Sequence, residues 1–260
     1  MLKGVLLDLG GVVYVGDALL PGACGAIARL KGSGLAVRFL TNITRQSRQG
    51  LRSQLAGMDL KVADQELFMP ATTARKYLLE HRLKPLLLVH PTLQAEFEGL
   101  PDAGPQAVVI GDAGEGFAYA SLNKAYRALS RGAPLIALAN NRVFRDSDGE
   151  LSLDAGAFVA ALEYASGKKA RVFGKPSGEF FAAAVKSMNC TTSETIMVGD
   201  DVEFDVAGAL SAGLGGILVR TGKYQLGAEA SIDPPPTAVV DDLAEAAEWI
   251  LTHRNNLDVR

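Results

Sequence analysis

Cysteine is scarce in this chain of 260 residues, which holds two of them, Cys24 and Cys190. Their separation matches no common metal-ligand or redox spacing, which excludes a function that depends on a cysteine motif. We therefore expect two small buried side chains in a reducing compartment and assign them no role.

Long hydrophobic runs are also missing. The longest, LLLV at 86–89 and GLGGILV at 213–219, fall far short of the ~20 apolar residues of a membrane span. The first residues contain one lysine and a short apolar run broken by Asp8, without the apolar segment and cleavage site of an export signal. These absences argue against membrane insertion and export, and we expect a soluble cytoplasmic protein.

A surplus of positive charge is the third absence. The formal net charge is −3, and no segment forms a basic tract. Such a chain offers no field that would hold a polyanion. Nucleic acid and anionic membrane surfaces are therefore not expected as partners.

What is present is the composition of an ordinary globular protein, with 48% apolar and 21% charged residues and no internal repeat. Short leucine-rich or β-branched runs alternate with longer amphipathic segments, which predicts an α/β fold with a parallel sheet. The predicted strands are 4–8, 36–41, 85–90, 106–111, 134–140, 170–174, 195–200, 215–222 and 237–242. The predicted helices lie near 22–32, 44–56, 71–82, 92–98, 118–131, 155–166, 176–188, 202–212 and 243–253.

Two domains are expected, because nine predicted strands exceed one compact sheet of common size. From about 84 to 169 the strands end without a convergent set of ionisable groups, and RDSDGELSL at 145–153 is typical of a polar hairpin with a D-G turn. We therefore predict a core formed by 1–83 and 170–260, with a smaller domain at 84–169 inserted into it.

The stretch LLDLGGVV places a carboxylate, Asp8, at the end of an apolar run and close to two glycines. A buried carboxylate is costly unless it is paired, so Asp8 either caps a turn or faces a ligand. Ligands of open parallel sheets bind beyond the carboxyl ends of the strands. Other predicted strand ends and loops add polar residues, namely Thr41 and Asn42 in FLTN, Lys175 in GKPS, and Asp200, Asp201 and Asp205 in GDDVEFD.

This mixture of groups predicts a phosphoryl group held against Mg²⁺. Magnesium prefers hard oxygen ligands, which Asp8 and Asp200 can supply. The phosphoryl oxygens need positive charge and hydrogen-bond donors, which Lys175 and Thr41 can supply together with nearby backbone N–H groups. The glycines after Asp8 let the backbone approach an anion closely.

Each residue taken alone also has an ordinary structural explanation. Asp8 could cap a turn, Thr41 could be an ordinary hydroxyl at a strand end, and Lys175 could be a solvated lysine in a loop. Asp201 fits a helix N-cap, and Asp205 suits the positive end of the same helix. The functional interpretation depends on four strand-end elements that occur together in one order.

In combination, the motifs LLDLGGVVY, FLTN, GKPS and VGDDVEFD resemble those of the haloacid dehalogenase superfamily, in subfamily IIA with an inserted α/β cap. The resemblance extends to the phospholysine phosphohistidine inorganic pyrophosphate phosphatases and related hydrolases, and it covers nearly the whole chain. The motifs that carry it are KGVLLDLGGVVY, AVRFLTN, VVIGDAGEGFAY, ALEYASGKKARVFGKPS and VRTGKY. It implies a Rossmann-like three-layer core, a cap that closes over the site, and Mg²⁺-dependent phosphatase activity.

The resemblance also implies roles for individual residues. Asp8 would attack phosphorus to give an aspartyl-phosphate intermediate that water then hydrolyses. Thr41, with Asn42 beside it, and Lys175 would bind the phosphoryl group. The implied metal ligands are Asp8, the backbone carbonyl of Gly10 and Asp200, and the implied supporting residues are Asp201 and Asp205.

One position departs from the family pattern, which has a second aspartate two residues after the first to protonate the leaving group. Here that position is Gly10, whereas the most similar phosphatases usually have serine. Loss of a positioned acid and base costs ~10²–10⁴ in rate, or about 3–5 kcal/mol of barrier. We therefore expect substrates whose leaving group needs little protonation, namely a phosphoramidate, pyrophosphate or an aryl phosphate.

Other carboxylates could replace the missing acid, although capping of turns is their commoner role. The candidates are Asp17, Asp201 and Glu203, together with Asp112 and Glu115 in GDAGEG. An alternative function is a binding protein that kept the fold and lost turnover. Gly10 favours this alternative, whereas the retained Asp8, Lys175 and Asp200 argue against it.

Two further classes fit less well. A dinucleotide enzyme would need the G-x-G-x-x-G spacing, which LDLGGVV lacks. A phosphorylated receiver domain suits neither this length nor an acceptor on the first strand. The resemblance is compatible with a homodimer formed through the cap.

Overall fold

The computed structural model describes residues 1–145 and 150–255. The chain forms two compact units. The core unit contains Met1–Thr41, Arg52–Phe68 and Lys175–Arg260, and the second unit contains Asn42–Leu51 and Met69–Gly174. Both units combine a parallel sheet with helices, which confirms the predicted α/β fold class.

The strands are β1 (Gly4–Asp8), β2 (Tyr14–Val15), β3 (Ala18–Leu19), β4 (Ala36–Leu40), β5 (Leu67–Phe68), β6 (Lys84–Leu88), β7 (Gln106–Ile110), β8 (Leu135–Ala137), β9 (Val143–Arg145), β10 (Leu151–Leu153), β11 (Arg171–Val172), β12 (Thr195–Gly199), β13 (Gly215–Val219) and β14 (Ala238–Val240). The helices are α1 (Ala23–Gly32), α2 (Arg48–Gly57), α3 (Pro70–Glu80), α4 (Tyr119–Ser130), α5 (Ala155–Ser166), α6 (Gly178–Ser187), α7 (Gly208–Ser211) and α8 (Leu243–His253). A π-helical turn at Val202–Ala207 precedes α7.

The core unit contains a six-stranded parallel sheet in the order β14-β13-β12-β1-β4-β5. Its central strands are continuous apolar runs, as expected where helices cover both faces. Helix α6 buries Phe180, Phe181 and Ala184 in a cluster with Leu6 and Met197 of the sheet. Phe180 and Phe181 are followed four residues later by Ala184 and Val185, which are also buried, so these four side chains form one apolar face of α6 toward the sheet.

The second unit contains a four-stranded parallel sheet in the order β11-β8-β7-β6. Helix α3 packs on one face, where Ala74 and Leu78 contact the cluster around Val109. Helices α4 and α5 cover the other face, where Leu129 and Val159 are buried. The sheet therefore lies between two helical layers.

The boundaries of the second unit differ from the predicted insertion at 84–169. The unit also includes Asn42–Leu51 and residues 69–83, and it continues to Gly174. The physical reason is the apolar face of α3, whose buried alanines and leucine pack on the sheet of the second unit. The strand run at 84 marks the start of that sheet but not the start of its hydrophobic core.

All nine predicted strand runs overlap an observed strand. The predicted hairpin at 145–153 has its antiparallel strands in β9 and β10, and its D-G turn lies outside the described residues. The segment at 92–98 forms a 3-10 helix instead of an α-helix, and 202–212 divides into a π-helical turn and α7. Within the described ranges, no helix has both the length and the apolar character needed to cross a bilayer.

The expectation that both cysteines are buried is wrong. Cys24 is exposed and Cys190 is partly exposed. Cys24 lies on α1, whose buried face is formed by Ala23, Ala26, Ile27 and Leu30. The helix turns Cys24 away from this face, so its exposure follows from the helical period.

Candidate active site

The candidate active site lies at the carboxyl end of the core sheet, where β1 runs between β12 and β4. The sheet extends from β1 through β4 to β5 on one side and through β12 to β14 on the other, so the winding direction reverses beside β1. Such a reversal opens a crevice at the strand ends, where ligands bind. Asp8 ends β1 at this point and is 7% exposed.

Lys175 lies between β11 and α6 and is 3% exposed. Its Nζ atom lies 2.5 Å from Asp8 Oδ1 and 2.5 Å from Asp205 Oδ1. Burial lowers the pKa of Lys175, but the carboxylates of Asp205 and Asp8 outweigh burial and hold the pKa above its ordinary value. The ammonium group is therefore charged at neutral pH, and Lys175 is not a solvated loop lysine.

Three buried carboxylates meet beside this lysine. Asp8, Asp200 and Asp205 each offer an oxygen atom within 4.8 Å of the others. Burial, together with the charges of Asp8 and Asp205, raises the pKa of Asp200 to about 8. Burial also raises the pKa of Asp205 to about 7, although Lys175 opposes this shift. Three carboxylates against one ammonium group leave a surplus of buried negative charge, which requires protons or a cation.

The oxygen atoms of Asp200 test whether a divalent cation would fit. Oδ2 accepts a hydrogen bond of 2.7 Å from the backbone N–H of Lys223. Oδ1 is buried and has no hydrogen-bond partner within the described part of the chain. A buried polar atom without a hydrogen-bond partner is rare in folded proteins, and an oxygen of this kind suits direct coordination of a cation. Carboxylate oxygens are hard ligands, so the donor set of Asp8, Asp200 and Asp205 fits Mg²⁺.

Thr41 and Asn42 are neighbours in the chain but belong to different units. Thr41 is buried and follows Leu40, which pairs with Asp8 in the sheet. Asn42 belongs to the second unit, where its Nδ2 atom donates a hydrogen bond of 3.2 Å to Asn141 Oδ1. The sheet register thus places Thr41, at the end of β4, beside the strand that carries Asp8.

Asp201 and Asp205 of GDDVEFD lie in the turn after β12. Asp201 Oδ1 accepts hydrogen bonds of 3.1 Å and 3.0 Å from the backbone N–H groups of Glu203 and Phe204, so Asp201 caps the π-helical turn. Asp205 Oδ2 accepts one of 3.2 Å from the N–H of Asp201. A Cβ atom on Gly199 would lie 2.5 Å from Asp205 Cγ, so the glycine of this motif leaves space for the side chain of Asp205.

Gly10 is exposed, and a Cβ atom built on it would meet no heavy atom within 4 Å. Its φ lies outside the left-handed region. The fold therefore accepts a side chain at this position, and packing does not enforce the absence of an acid.

Asp17, Asp201 and Asp112, which are among the alternative carboxylates, make structural contacts. Asp17 accepts a hydrogen bond of 3.0 Å from Gln54 Nε2, and Asp201 is the cap described above. In the second unit, Asp112 Oδ2 accepts a hydrogen bond of 2.5 Å from Arg45 Nε. The other two, Glu203 and Glu115, are exposed.

The loop after β13 is part of the site, although it was not predicted from the sequence. Strand β13 runs beside β12, and its end places Gly222 and the backbone N–H of Lys223 against Asp200. The sequence signal for this loop is the motif VRTGKY, a further strand end with a glycine and a cation.

Tyr14 was also not predicted to be part of the site. Burial and the charges of Asp8 and Asp17 raise its pKa to about 12, so the phenol stays protonated.

We expect the stability of the metal-free protein to decrease as the pH rises. The pKa values of Asp200 and Asp205, about 8 and about 7, exceed their ordinary value of 3.8. At a pH between the ordinary value and the raised values, the folded protein binds more protons than the unfolded chain, so protonation stabilises the folded protein. That contribution is complete below the ordinary value and is lost as the pH rises through the raised ones. Thermal unfolding in EDTA from about pH 5 to about pH 9 should show a falling Tm.

Added Mg²⁺ should raise the Tm most at high pH, where protons no longer compete for the carboxylates. Asp200→Asn should flatten the pH dependence in EDTA, because the remaining groups, Asp8, Asp205 and Lys175, then carry less surplus charge. Asp241→Asn serves as the matched control, since Asp241 is exposed and pairs with Arg220. A Tm in EDTA that rises over this range would contradict the expectation.

Two family models match the chain. The model described as haloacid dehalogenase-like hydrolase matches residues 5–100, and the model described as HAD-hydrolase-like matches residues 172–246. The two matches together include β1, β4, β12 and the loops that carry Asp8, Lys175 and Asp200.

Named relatives align over almost the whole chain. The haloacid dehalogenase-like hydrolase domain-containing protein 2 of Pongo abelii is 43% identical over 252 residues, which cover 97% of each chain. The phospholysine phosphohistidine inorganic pyrophosphate phosphatase of Danio rerio is 42% identical over 258 residues, which cover 97% of this chain and 95% of that protein.

A solved structure with the same architecture is that of the 4-nitrophenylphosphatase of Thermotoga maritima. It superposes with a TM-score of 0.85 at 26% identity, over 95% of this chain and 97% of that one. The fold and the carboxylate–lysine cluster thus define a hydrolase built on a parallel α/β sheet. The chain belongs to the haloacid dehalogenase-like hydrolases. The predicted family and the predicted enzyme class are confirmed.

Proposed function

We propose that the protein is a Mg²⁺-dependent phosphatase that acts on a small phosphorylated substrate through an aspartyl-phosphate intermediate. The observation that carries the proposal is the ion pair of 2.5 Å between Lys175 Nζ and Asp8 Oδ1 inside a cluster of three buried carboxylates. A nucleophilic carboxylate, a buried cation and an open set of oxygen ligands are the groups that phosphoryl transfer requires. Two similar proteins are named as phosphatases, one from Danio rerio and one from Thermotoga maritima, and their names support this proposal.

The chain's own residues divide the reaction into two displacements. An Asp8 oxygen attacks phosphorus, the bond from phosphorus to the leaving group breaks, and the leaving group departs with the bonding electrons. Water then attacks phosphorus, the bond to Asp8 breaks, and inorganic phosphate leaves with Asp8 restored. Lys175 holds the phosphoryl charge, while Thr41, with Asn42 and backbone N–H groups, donates to the phosphoryl oxygens. Asp8, Asp200 and the carbonyl of Gly10 would hold Mg²⁺, with Asp205 as a supporting carboxylate, and the ion would supply positive charge at the phosphoryl group.

Gly10 narrows the substrate class. Without a carboxyl group at this position, no side chain there protonates the leaving group. Substrates with leaving groups that depart readily are then favoured over alkyl phosphates. For this reason we propose that the substrate is a phosphoramidate, pyrophosphate or an aryl phosphate.

The test compares turnover of imidodiphosphate, pyrophosphate, p-nitrophenyl phosphate and glycerol phosphate by purified protein, with phosphate release as the measurement. We expect release with Mg²⁺ and none with EDTA, and we expect glycerol phosphate to be the slowest substrate by about 10²-fold or more. An alkyl ester that is hydrolysed fastest would overturn the substrate assignment.

The alternative function, a binding protein without turnover, is separated by the same assay. Such a protein would bind a phosphorylated ligand with Mg²⁺ but release no phosphate from any of the four compounds. The retained Asp8, Lys175 and Asp200 argue for turnover. A cap role for the second unit, a homodimer and a cytoplasmic location remain predictions.

A further inference from the structure

The carboxylate of Asp200 is enclosed by two glycines from distant parts of the sequence. Gly11 follows β1 and has φ of 85°, and Gly222 follows β13 and has φ of 57°. A Cβ atom on either glycine would overlap Asp200 Oδ2. A Cβ atom on Gly222 would also lie 2.6 Å from the Cα of Gly11. Glycine is therefore required at both positions by space as well as by backbone conformation.

Two hydrogen bonds hold this arrangement together. Thr221 Oγ1 donates a hydrogen bond of 2.5 Å to the carbonyl oxygen of Gly11, which ties the loop after β13 to the loop after β1. The backbone N–H of Lys223 donates one of 2.7 Å to Asp200 Oδ2. We call Gly11, Thr221, Gly222 and the N–H of Lys223 the glycine clamp.

We propose that the glycine clamp positions Asp200 so that Oδ1 alone faces the metal, which makes Gly11 and Gly222 positioning residues for Mg²⁺ binding. The inference rests on the proposed function, because it concerns the metal of that site. Its basis is the contrast between the two oxygens of one carboxylate. Oδ2 is packed between two glycines and hydrogen-bonded, whereas Oδ1 is buried and has no hydrogen-bond partner in the described residues.

A carboxylate held in this way acts as a monodentate ligand. Mg²⁺ takes six oxygen ligands in a strict octahedral geometry, whereas Ca²⁺ accepts bidentate carboxylates in flexible geometries. The clamp packs around Oδ2, and the hydrogen bond from Lys223 uses part of the acceptor capacity of this oxygen, which disfavours a bidentate contact from Asp200. Groups that orient a metal ligand in this way typically contribute about 10–100-fold to metal affinity.

The experiment compares Gly222→Ala with Gly227→Ala. Gly227 lies in the same loop with φ of 81°, but a Cβ atom there would meet nothing within 4 Å. Both variants therefore carry the strain of a left-handed alanine, and only Gly222→Ala displaces Asp200. Mg²⁺ affinity is measured by calorimetry without substrate, and Mn²⁺ affinity by the EPR signal of the free ion. Thermal unfolding in EDTA reports whether each variant is folded.

We expect Gly222→Ala to raise the Kd for Mg²⁺ about 10–100-fold and Gly227→Ala to leave it within about twofold. At low Mg²⁺ the kcat/KM of Gly222→Ala should be well below that of the wild type. At saturating Mg²⁺ its kcat should approach the wild-type kcat. A general loss of structure would not produce this recovery. Equal affinities in folded Gly222→Ala and wild type would overturn the inference. Absence of Mg²⁺ binding in the wild type would instead overturn the proposed function.

If Gly222→Ala does not fold, Thr221 provides the second test. Thr221→Val removes the hydroxyl that bonds the carbonyl of Gly11, and Thr221→Ser retains it. We expect weaker Mg²⁺ binding in Thr221→Val and recovery in Thr221→Ser. Identical Mg²⁺ affinities in these two variants would count against the clamp.

Discussion

Asp8→Asn is expected to abolish phosphate release, with turnover reduced by about 10⁴-fold or more. The amide keeps the shape of the carboxylate but cannot attack phosphorus as an anion. It also removes one charge from the ion pair with Lys175, whose other partner, Asp205 at 2.5 Å, remains. The variant should therefore fold, and its loss of activity should reflect chemistry. Phosphate release over long incubations and acid-quenched labelling with radioactive phosphate substrate would measure both steps.

Asp241→Asn is the matched control for this prediction. Asp241 follows β14 as Asp8 ends β1, but its side chain is exposed and pairs with Arg220. We expect its turnover to stay within about twofold of the wild type, because an exposed ion pair contributes little. Asp8→Asn protein that still accumulates a covalent phosphoryl label would mean that another residue is the nucleophile.

Gly10→Asp is expected to increase the turnover of alkyl phosphates by up to about 10²–10⁴-fold. The position is open, since a Cβ atom there meets nothing within 4 Å, and its φ lies outside the left-handed region that favours glycine. A carboxyl group at this position would protonate an alkoxide leaving group and then activate water. Turnover of glycerol phosphate, measured by phosphate release with Mg²⁺, should rise far more than that of p-nitrophenyl phosphate, whose leaving group needs no proton.

Gly10→Asn separates the acid from the added side chain. It has nearly the same size as aspartate but cannot transfer a proton, so we expect no gain on glycerol phosphate. A pH profile of Gly10→Asp should show a new group that must be protonated for alkyl ester cleavage. Equal gains from both variants would show that the new side chain acts by binding substrate rather than by acid catalysis.

The sequence alone was sufficient for the fold class and for the main members of the cluster. Buried parallel strands are continuous apolar runs, and the helices that cover them are amphipathic. The order of strands and helices could therefore be predicted from the sequence. Asp8, Lys175 and Asp200 could be grouped because each is the polar residue at a strand end or in a loop near one. The departure at Gly10 is likewise a property of one position in a motif.

The boundaries of the second unit were not predictable in this way. Strand patterns mark where a sheet begins, whereas a unit is defined by what its hydrophobic core includes. Helix α3 has an amphipathic pattern that fits either unit, and only its packing on Val109 and Leu138 assigns it. Asn42 was grouped with Thr41 because they are adjacent, and only the tertiary structure shows that its Nδ2 atom donates a hydrogen bond to Asn141.

By itself, then, the sequence determined the α/β class, the residues that meet at the end of β1 and the absence of an acid at Gly10, because each depends on local pattern. Tertiary structure alone decided that Lys175 is buried between two carboxylates and that, among the described residues, Asp200 has one hydrogen-bonded oxygen and one without a partner. The environment of Asp200 depends on Gly11 and Gly222, which are more than two hundred residues apart and approach only when β1, β12 and β13 pair in one sheet.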